Sequence, residues 1–209
     1  IDHAKTLFFT NISHEFRTPL SLMLGPLADS IADKQDPLSE RQKARQYLIQ
    51  RSALRLLKLV NTILDFSRIE AGRAQISFVA TDLTRLTREL CQLFTSVMEQ
   101  SSLEYTVEIQ PIEELVYVDV DMWEKIVTNL ISNAYKFTLK GKIRVGLNKV
   151  GDHVELTVSD TGVGIPEHEL PNMFRRFHRI ENTQGRSFEG SGIGLALIQE
   201  LTRLHGGVD

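Results

Sequence analysis

The chain has 209 residues, 42% of them hydrophobic and 24% charged, and a formal net charge of −3. That length holds one ordinary domain or two small ones, and the composition is globular rather than disordered or fibrous. Mild acidity with scattered Lys and Arg argues against a nucleic-acid partner, and the single cysteine, Cys91, excludes an intrachain disulfide and a multi-thiol metal site.

The chain opens Ile1-Asp2-His3-Ala4-Lys5, without Met, in a stretch that already reads as helix. It is expected to be a piece of a longer protein. No apolar run approaches the ~20 residues that cross a bilayer, and no signal peptide is visible. From Asp2 to Gly72 the apolar residues recur at helical spacing, with one break at Ala32-Asp33-Lys34-Gln35-Asp36-Pro37. Ser39 and Glu40 then make a good helix start. In this second helix Ile49, Ala53, Leu56, Val60 and Ile63 alternate steps of four and three, the seam of a helix in a bundle. Gly72 suits its C-terminus. Two such helices alone leave Leu57, Leu59 and Leu64 flanking the seam. Pairing two hairpins into a dimeric four-helix bundle would cover them, so a homodimer is expected.

From Ile76 the texture changes. Strands are expected at Ile76–Val79, Tyr105–Ile109, Val116–Val118, Ile143–Lys149 and Val154–Ser159, with a turn at Lys149-Val150-Gly151-Asp152-His153. Helices are expected at Asp82–Met98, with Asp82 as N-cap, and at Asp121–Tyr135. Strands mixed with helices, without regular βαβ repetition, predict an α+β sandwich. The expected organisation is therefore an all-α hairpin over 1–72 and an α+β domain over 73–209.

Chemistry first enters at Phe9-Thr10-Asn11-Ile12-Ser13-His14-Glu15-Phe16-Arg17-Thr18-Pro19-Leu20. At 100° per residue His14 lies away from Phe8, Ile12 and Phe16, hence outward, and Thr18 shares its face. Pro19 removes a hydrogen bond to the Glu15 carbonyl and should bend the helix beside His14. An exposed imidazole beside a carboxylate can serve as a nucleophile; a solvated surface histidine is the bland alternative. Further on, Asn129, Asn133 and Lys136 sit at helical steps of four and three, offering amide oxygens suited to Mg2+ and an ammonium suited to phosphate. Asp160-Thr161-Gly162-Val163-Gly164 follows an apolar strand, and its glycines allow close backbone approach to a ligand. Phe174-Arg175-Arg176-Phe177-His178-Arg179 precedes a polar stretch, Glu181 to Glu189, that could act as a lid. Gly190-Ser191-Gly192-Ile193-Gly194 opens an apolar helix whose free N–H groups favour phosphate. Each cluster has an ordinary structural explanation, but those explanations do not account for the order.

Residues 13–20, Ser-His-Glu-Phe-Arg-Thr-Pro-Leu, resemble the H-box of the histidine kinases residue for residue. The later clusters resemble that family's N, G1, F and G2 boxes, which belong to the Bergerat ATP-binding fold shared with DNA gyrase and mismatch-repair ATPases. The resemblance implies that ATP phosphorylates His14 and that the phosphoryl group passes to an aspartate of a response-regulator receiver domain. Glu15 would hydrogen-bond or deprotonate the imidazole, and Thr18 would orient water in a phosphatase reaction. It also implies Asn133 as the Mg2+ ligand, Asn129 near metal and phosphates, Lys136 on the phosphates and Asp160 on adenine. Gly162 and Gly164 would shape the adenine pocket, while Gly190, Gly192 and Gly194 flank the triphosphate. Arg179 stands where the family often has a phosphate-reaching arginine. The family pattern normally continues into further strands after Gly206-Gly207, so the ATP domain is expected to be C-terminally incomplete. An upstream sensor, and a cytoplasmic location on a membrane-anchored parent, are expected on the same ground. Two rivals stand beside this reading: a Bergerat-fold ATPase that uses nucleotide as a switch without phosphohistidine, and a non-enzymatic scaffold.

Overall fold

The computed structural model describes the backbone of residues 2–180, 185–186 and 192–208, with side chains from residue 15 onward except that of residue 70. The chain divides into two compact units, Ile1–Ala74 and Gln75–Asp209.

The first unit is a helical hairpin, α1 (Asp2–Ala32) and α2 (Glu40–Glu70). Between them Asp33 Oδ1 accepts from the N–H groups of Gln35 and Asp36, an Asx turn that spends the backbone donors locally and stops the helix. Ser39 restarts it through a capping box. Its hydroxyl accepts from Gln42 N, and Gln42 Oε1 accepts from Ser39 N at 2.9 Å. At the far end Gly72 N donates to Ile69 O and Arg73 N to Arg68 O, which satisfies the last carbonyls. The hairpin interior holds Leu20 from α1 and Ala53, Val60, Leu64, Phe66 and Ile69 from α2. The inward seam of α2 is thus Ala53-Leu57-Val60-Leu64, one step from the heptad read in the sequence. Leu56 and Ile49 of the expected seam are 42% and 52% exposed. A two-sided apolar helix presents two seams, and spacing alone does not say which one meets α1.

The second unit contains β1 (Val79–Thr81), α3 (Leu83–Gln92), α4 (Thr95–Gln100), β2 (Glu104–Ile109), β3 (Val116–Val118) and α5 (Val120–Phe137). It continues with β4 (Lys142–Val150), β5 (His153–Asp160), a 3-10 turn at Glu167–Asn172 and α6 (Gly194–Leu204). β4 is central, parallel to β2 from Glu104↔Lys142 to Ile109↔Leu147 and antiparallel to β5 with Val145 opposite Val158. β1 and β3 form a separate antiparallel pair. Alternation along β4 sends Ile143, Val145 and Leu147 inward to full burial. Ile143 and Val145 meet Val127, Ile131 and Ala134 of α5, Leu90 and Cys91 of α3 and Met98 of α4. Helices on a sheet face give the expected α+β sandwich, and α6 buries Ala196, Leu197, Ile198 and Leu201.

Most element boundaries fall within two residues of the sequence reading, and two differ by more. The helix expected through Met98 breaks at Leu93-Phe94, because Phe94 packs against the core while Leu93 turns out to 69% exposure. The first strand begins at Val79 rather than Ile76. Ser77 instead donates its N–H to Asp119 Oδ2 at 2.8 Å. Asp119 also caps α5, with Oδ1 accepting from Met122 N at 3.0 Å, and its own N–H donates to His205 Nε2 at 3.2 Å. His205 Nδ1 donates to Leu201 O, so this ring is the neutral Nδ1–H tautomer. One buried residue therefore fastens three places: its carboxylate holds the segment entering this unit and the start of α5, and its backbone N–H holds the end of α6.

Candidate active site

α5 buries Ile126, Val127, Ile131 and Ala134 on one stripe, which leaves Asn129, Asn133 and Lys136 half-buried on its flank. The Asn129 amide is oriented by its Nδ2, which donates to Lys125 O at 2.7 Å, so its Oδ1 points elsewhere. A Cβ placed on Gly194 would lie 3.8 Å from that Oδ1, so the first residue of α6 stands beside the polar flank of α5. No side chain caps α6 among the described residues, and its first-turn N–H groups are suited to anionic oxygens.

The C-terminus of α5 receives the turn after β5. Val163 N donates to Phe137 O at 3.2 Å. Asp160, exposed at the strand end, accepts at Oδ1 from Gly162 N at 2.8 Å and from the buried Thr138 hydroxyl at 3.3 Å. A Cβ on Gly162 would lie 2.3 Å from Phe137 O, so only glycine allows the turn this close to the helix end. Gly164 follows on the same turn, and Gly141 backs onto Thr161, whose hydroxyl accepts from Lys142 N. Asp160, Gly162 and the end of the helix that carries Asn129, Asn133 and Lys136 thus form one locus.

The segment after the 3-10 turn is tied down from two directions. Phe177 N donates to Gly192 O at 2.9 Å, and a Cβ on Gly192 would lie 2.8 Å from Phe177 C and His178 O. His178 Nε2 lies 2.7 Å from Glu169 Oε2. That hydrogen bond, followed by one from Asn172, holds the Glu169 carboxyl below the usual carboxylate range. Arg179 is exposed.

The sequence reading missed Arg186. Its backbone N–H donates to Lys136 O, its Nε to Thr138 O at 3.2 Å and its Nη2 to Leu139 O at 2.9 Å, and its guanidinium lies over the Tyr135 ring at 4.8 Å. A cation on the carbonyl end of a helix, stacked on an aromatic ring, is favourable on both counts. Arg186 sits in a stretch read only as polar, and nothing in the spacing marks it out. Residues 181–184 and 187–191, Gly190 among them, lie outside the described residues.

In the other unit, Glu15 and Thr18 are exposed on α1, and the side chain of His14 lies outside the described residues. Arg17 Nη2 donates to Asn61 Oδ1 of α2 at 2.8 Å, a cross-helix tie one turn beyond His14. Phe16, expected to pack inward, is 50% exposed, and Leu20 takes the interior place.

Two family models match the two units in turn. Residues 4–72 match the His Kinase A (phospho-acceptor) domain, and residues 118–208 match the histidine kinase-, DNA gyrase B- and HSP90-like ATPase. This chain belongs to the histidine kinases. Its match to the sensor histidine kinase TmoS of Ectopseudomonas mendocina is 37% identical over 99% of this chain and 21% of that protein. The hybrid signal transduction histidine kinase D of Dictyostelium discoideum is 36% identical over 99% of this chain and 14% of its own length. The histidine-kinase core thus spans about a fifth or less of these two relatives. Among solved structures, full-length ShkA in complex with AMPPNP matches 95% of this chain and 41% of its own, at 27% identity and a TM-score of 0.77. The match of residues 118–208 to that ATPase family makes the second unit the ATP-binding part of the core. No described helix is long and apolar enough to cross a membrane.

Proposed function

We propose that this core transfers the γ-phosphoryl group of ATP to His14 and then to an aspartate of a response-regulator receiver domain. The observation that carries the reading is the convergence on α5. Motifs separated by some sixty residues of sequence, Asn129 to Lys136, Asp160 to Gly164 and Gly192 to Gly194, all lie at that helix or packed beside it. The match of residues 4–72 to a phosphoacceptor domain supports His14 as acceptor.

Phosphoryl transfer asks mainly for positioning and charge neutralisation. Asp160 accepts from the adenine amino group, in a pocket whose wall is set by Gly162 and Gly164. Lys136 and Asn129 serve the phosphates, Gly192 and Gly194 offer them backbone N–H groups, and the motif assigns Gly190, outside the described residues, to the same role. Arg179 adds a cation near the γ-phosphate. Among the described residues no group of three His, Cys, Asp or Glu could hold a metal alone. The amide oxygen of Asn133 is a hard donor that would hold Mg2+. Mg2+ held there would supply charge neutralisation at the phosphates. The neutral His14 imidazole attacks phosphorus as the bond to the β-phosphate oxygen breaks, and Glu15 holds the reactive tautomer. Thr18 orients water when the same core dephosphorylates its regulator.

The homodimer belongs to the same proposal. Leu22, Met23, Ile49 and Leu56 are 71%, 51%, 52% and 42% exposed on the single hairpin, an apolar face that a second copy would cover. An upstream sensor and a membrane-anchored parent, with this core in the cytoplasm, complete the reading. The relatives' much greater lengths are compatible with it.

Incubation with radiolabelled ATP and Mg2+ tests the central step. The wild-type chain is expected to acquire acid-labile label, and His14→Gln none. Equal label on both removes His14 as acceptor. Asn133→Ala should abolish labelling while the oligomer, measured by light scattering, persists.

A further inference from the structure

Thr138 is a buried threonine at the edge of the ATP site, fully removed from solvent at the C-cap of α5. Its backbone N–H is spent on Ala134 O, as a helix end requires. Its hydroxyl cannot reach water, and a buried hydroxyl needs a partner. Its partner is Asp160 Oδ1, at 3.3 Å, the same oxygen that takes Gly162 N at 2.8 Å. Two donors on one oxygen fix the rotation of the carboxylate. They leave Oδ2 as its acceptor edge, with no donor on it among the described residues.

We propose that Thr138 is a positioning residue for nucleobase recognition, presetting the Asp160 carboxylate so that Oδ2 accepts from an adenine amino group. The inference rests on the reading of Asp160 as the adenine contact and adds the residue that aims it. An exposed carboxylate at a strand end is otherwise free to rotate, and a group aligned beforehand loses less on binding. The carbonyl of the same residue receives Arg186 Nε, and the next carbonyl receives Nη2. Thr138 is thereby held from its other side by a residue of the segment between the F and G2 boxes. Valine has the shape of threonine without the hydroxyl and would pack in the same space while freeing the carboxylate. Serine keeps the donor.

The test is nucleotide discrimination. Inosine triphosphate presents a carbonyl where ATP presents the amino group, so a fixed carboxylate edge should favour ATP strongly. Displacement of a fluorescent nucleotide from the full chain gives dissociation constants for ATP and ITP. These are measured for wild type, Thr138→Val, Thr138→Ala, Thr138→Ser and Asp160→Asn. Thr138→Val is expected to weaken ATP about five- to tenfold, the loss of roughly one hydrogen bond's alignment, and to leave ITP nearly unchanged. The ITP-to-ATP ratio then collapses toward that of Asp160→Asn, while Thr138→Ser keeps the wild-type ratio. Thr138→Ala should repeat the collapse and serves in place of the valine variant if that does not fold. If Thr138→Val and Thr138→Ala weaken both nucleotides equally, or neither, while Asp160→Asn lowers the ratio, the aiming role of Thr138 is wrong and the Asp160 contact stands. If Asp160→Asn itself leaves the ratio unchanged, the adenine contact is wrong and the inference falls with it.

Discussion

Asp119 offers a direct measure of how the ATP-binding unit is fastened. Its side chain is 7% exposed and accepts two hydrogen bonds, from Met122 N at 3.0 Å and Ser77 N at 2.8 Å. The first is an N-cap, and replacing such an aspartate by alanine costs about 1 kcal/mol. The second goes to a charged acceptor, where ~1.5 kcal/mol is the low end of the range. The low end applies because Ser77 is exposed and its N–H can turn to water. Asp119→Ala should therefore cost about 2.5 kcal/mol. At roughly 4 °C per kcal/mol for a unit of this size, the midpoint falls by about 10 °C. Asp119→Asn separates the two bonds. Its single amide oxygen can serve Met122 or Ser77 but not both, so about 1–1.5 kcal/mol should be lost. The chain has one tryptophan, Trp123, one turn into α5, with Nε1 donating to Thr87 Oγ1 at 3.0 Å. Urea unfolding followed by its fluorescence reports this unit directly. If Asp119→Ala lies within about 0.5 kcal/mol of wild type, the clasp contributes nothing. If the asparagine variant is as unstable as the alanine one, the bond that its amide oxygen keeps contributes nothing.

Two further outcomes follow from particular contacts. Gly162→Ala puts a methyl 2.3 Å from Phe137 O, so the turn must retreat about 1 Å and carry Asp160 with it. ATP affinity should drop at least about tenfold, and unchanged binding by displacement would contradict the close approach. The lowered Glu169 carboxyl, held by His178 and then Asn172, stabilises the fold above its unfolded value near roughly pH 4.3. That contribution disappears as pH falls through the lower folded value. Glu169→Gln should thus flatten the acid limb of the melting curve measured from about pH 6 to pH 3, and an unaltered limb would show the pair to be idle.

Much of the candidate site's layout was legible because its residues are grouped locally in sequence. Asn129, Asn133 and Lys136 share a helix flank by spacing alone, and of the two glycines read as allowing close approach after β5, Gly162 meets backbone while Gly164 has open space around it. Gly192, like Gly162, meets backbone at distances only glycine tolerates. Ser39 and Asp82 were readable as caps for the same reason, a side chain satisfying backbone donors two or three residues on. The break at Leu93-Phe94 was not readable, because neither residue disfavours helix.

The sequence by itself determined the helical hairpin, the strand-and-helix content of the second unit and the residue types gathered at the candidate site. These follow from periodicity, capping and side-chain chemistry, all expressed within a few residues. Only the tertiary structure decided which seam of α2 turns inward, that Asp119 joins Ser77 to α5 and α6, and that Thr138 and Arg186 meet at the end of the helix bearing the asparagines. Those choices depend on partners 42 to 86 positions apart, as for Ser77 and His205 with Asp119, and 48 apart for Arg186 with Thr138. Residue spacing carries no information about contacts that exist only once the core has closed.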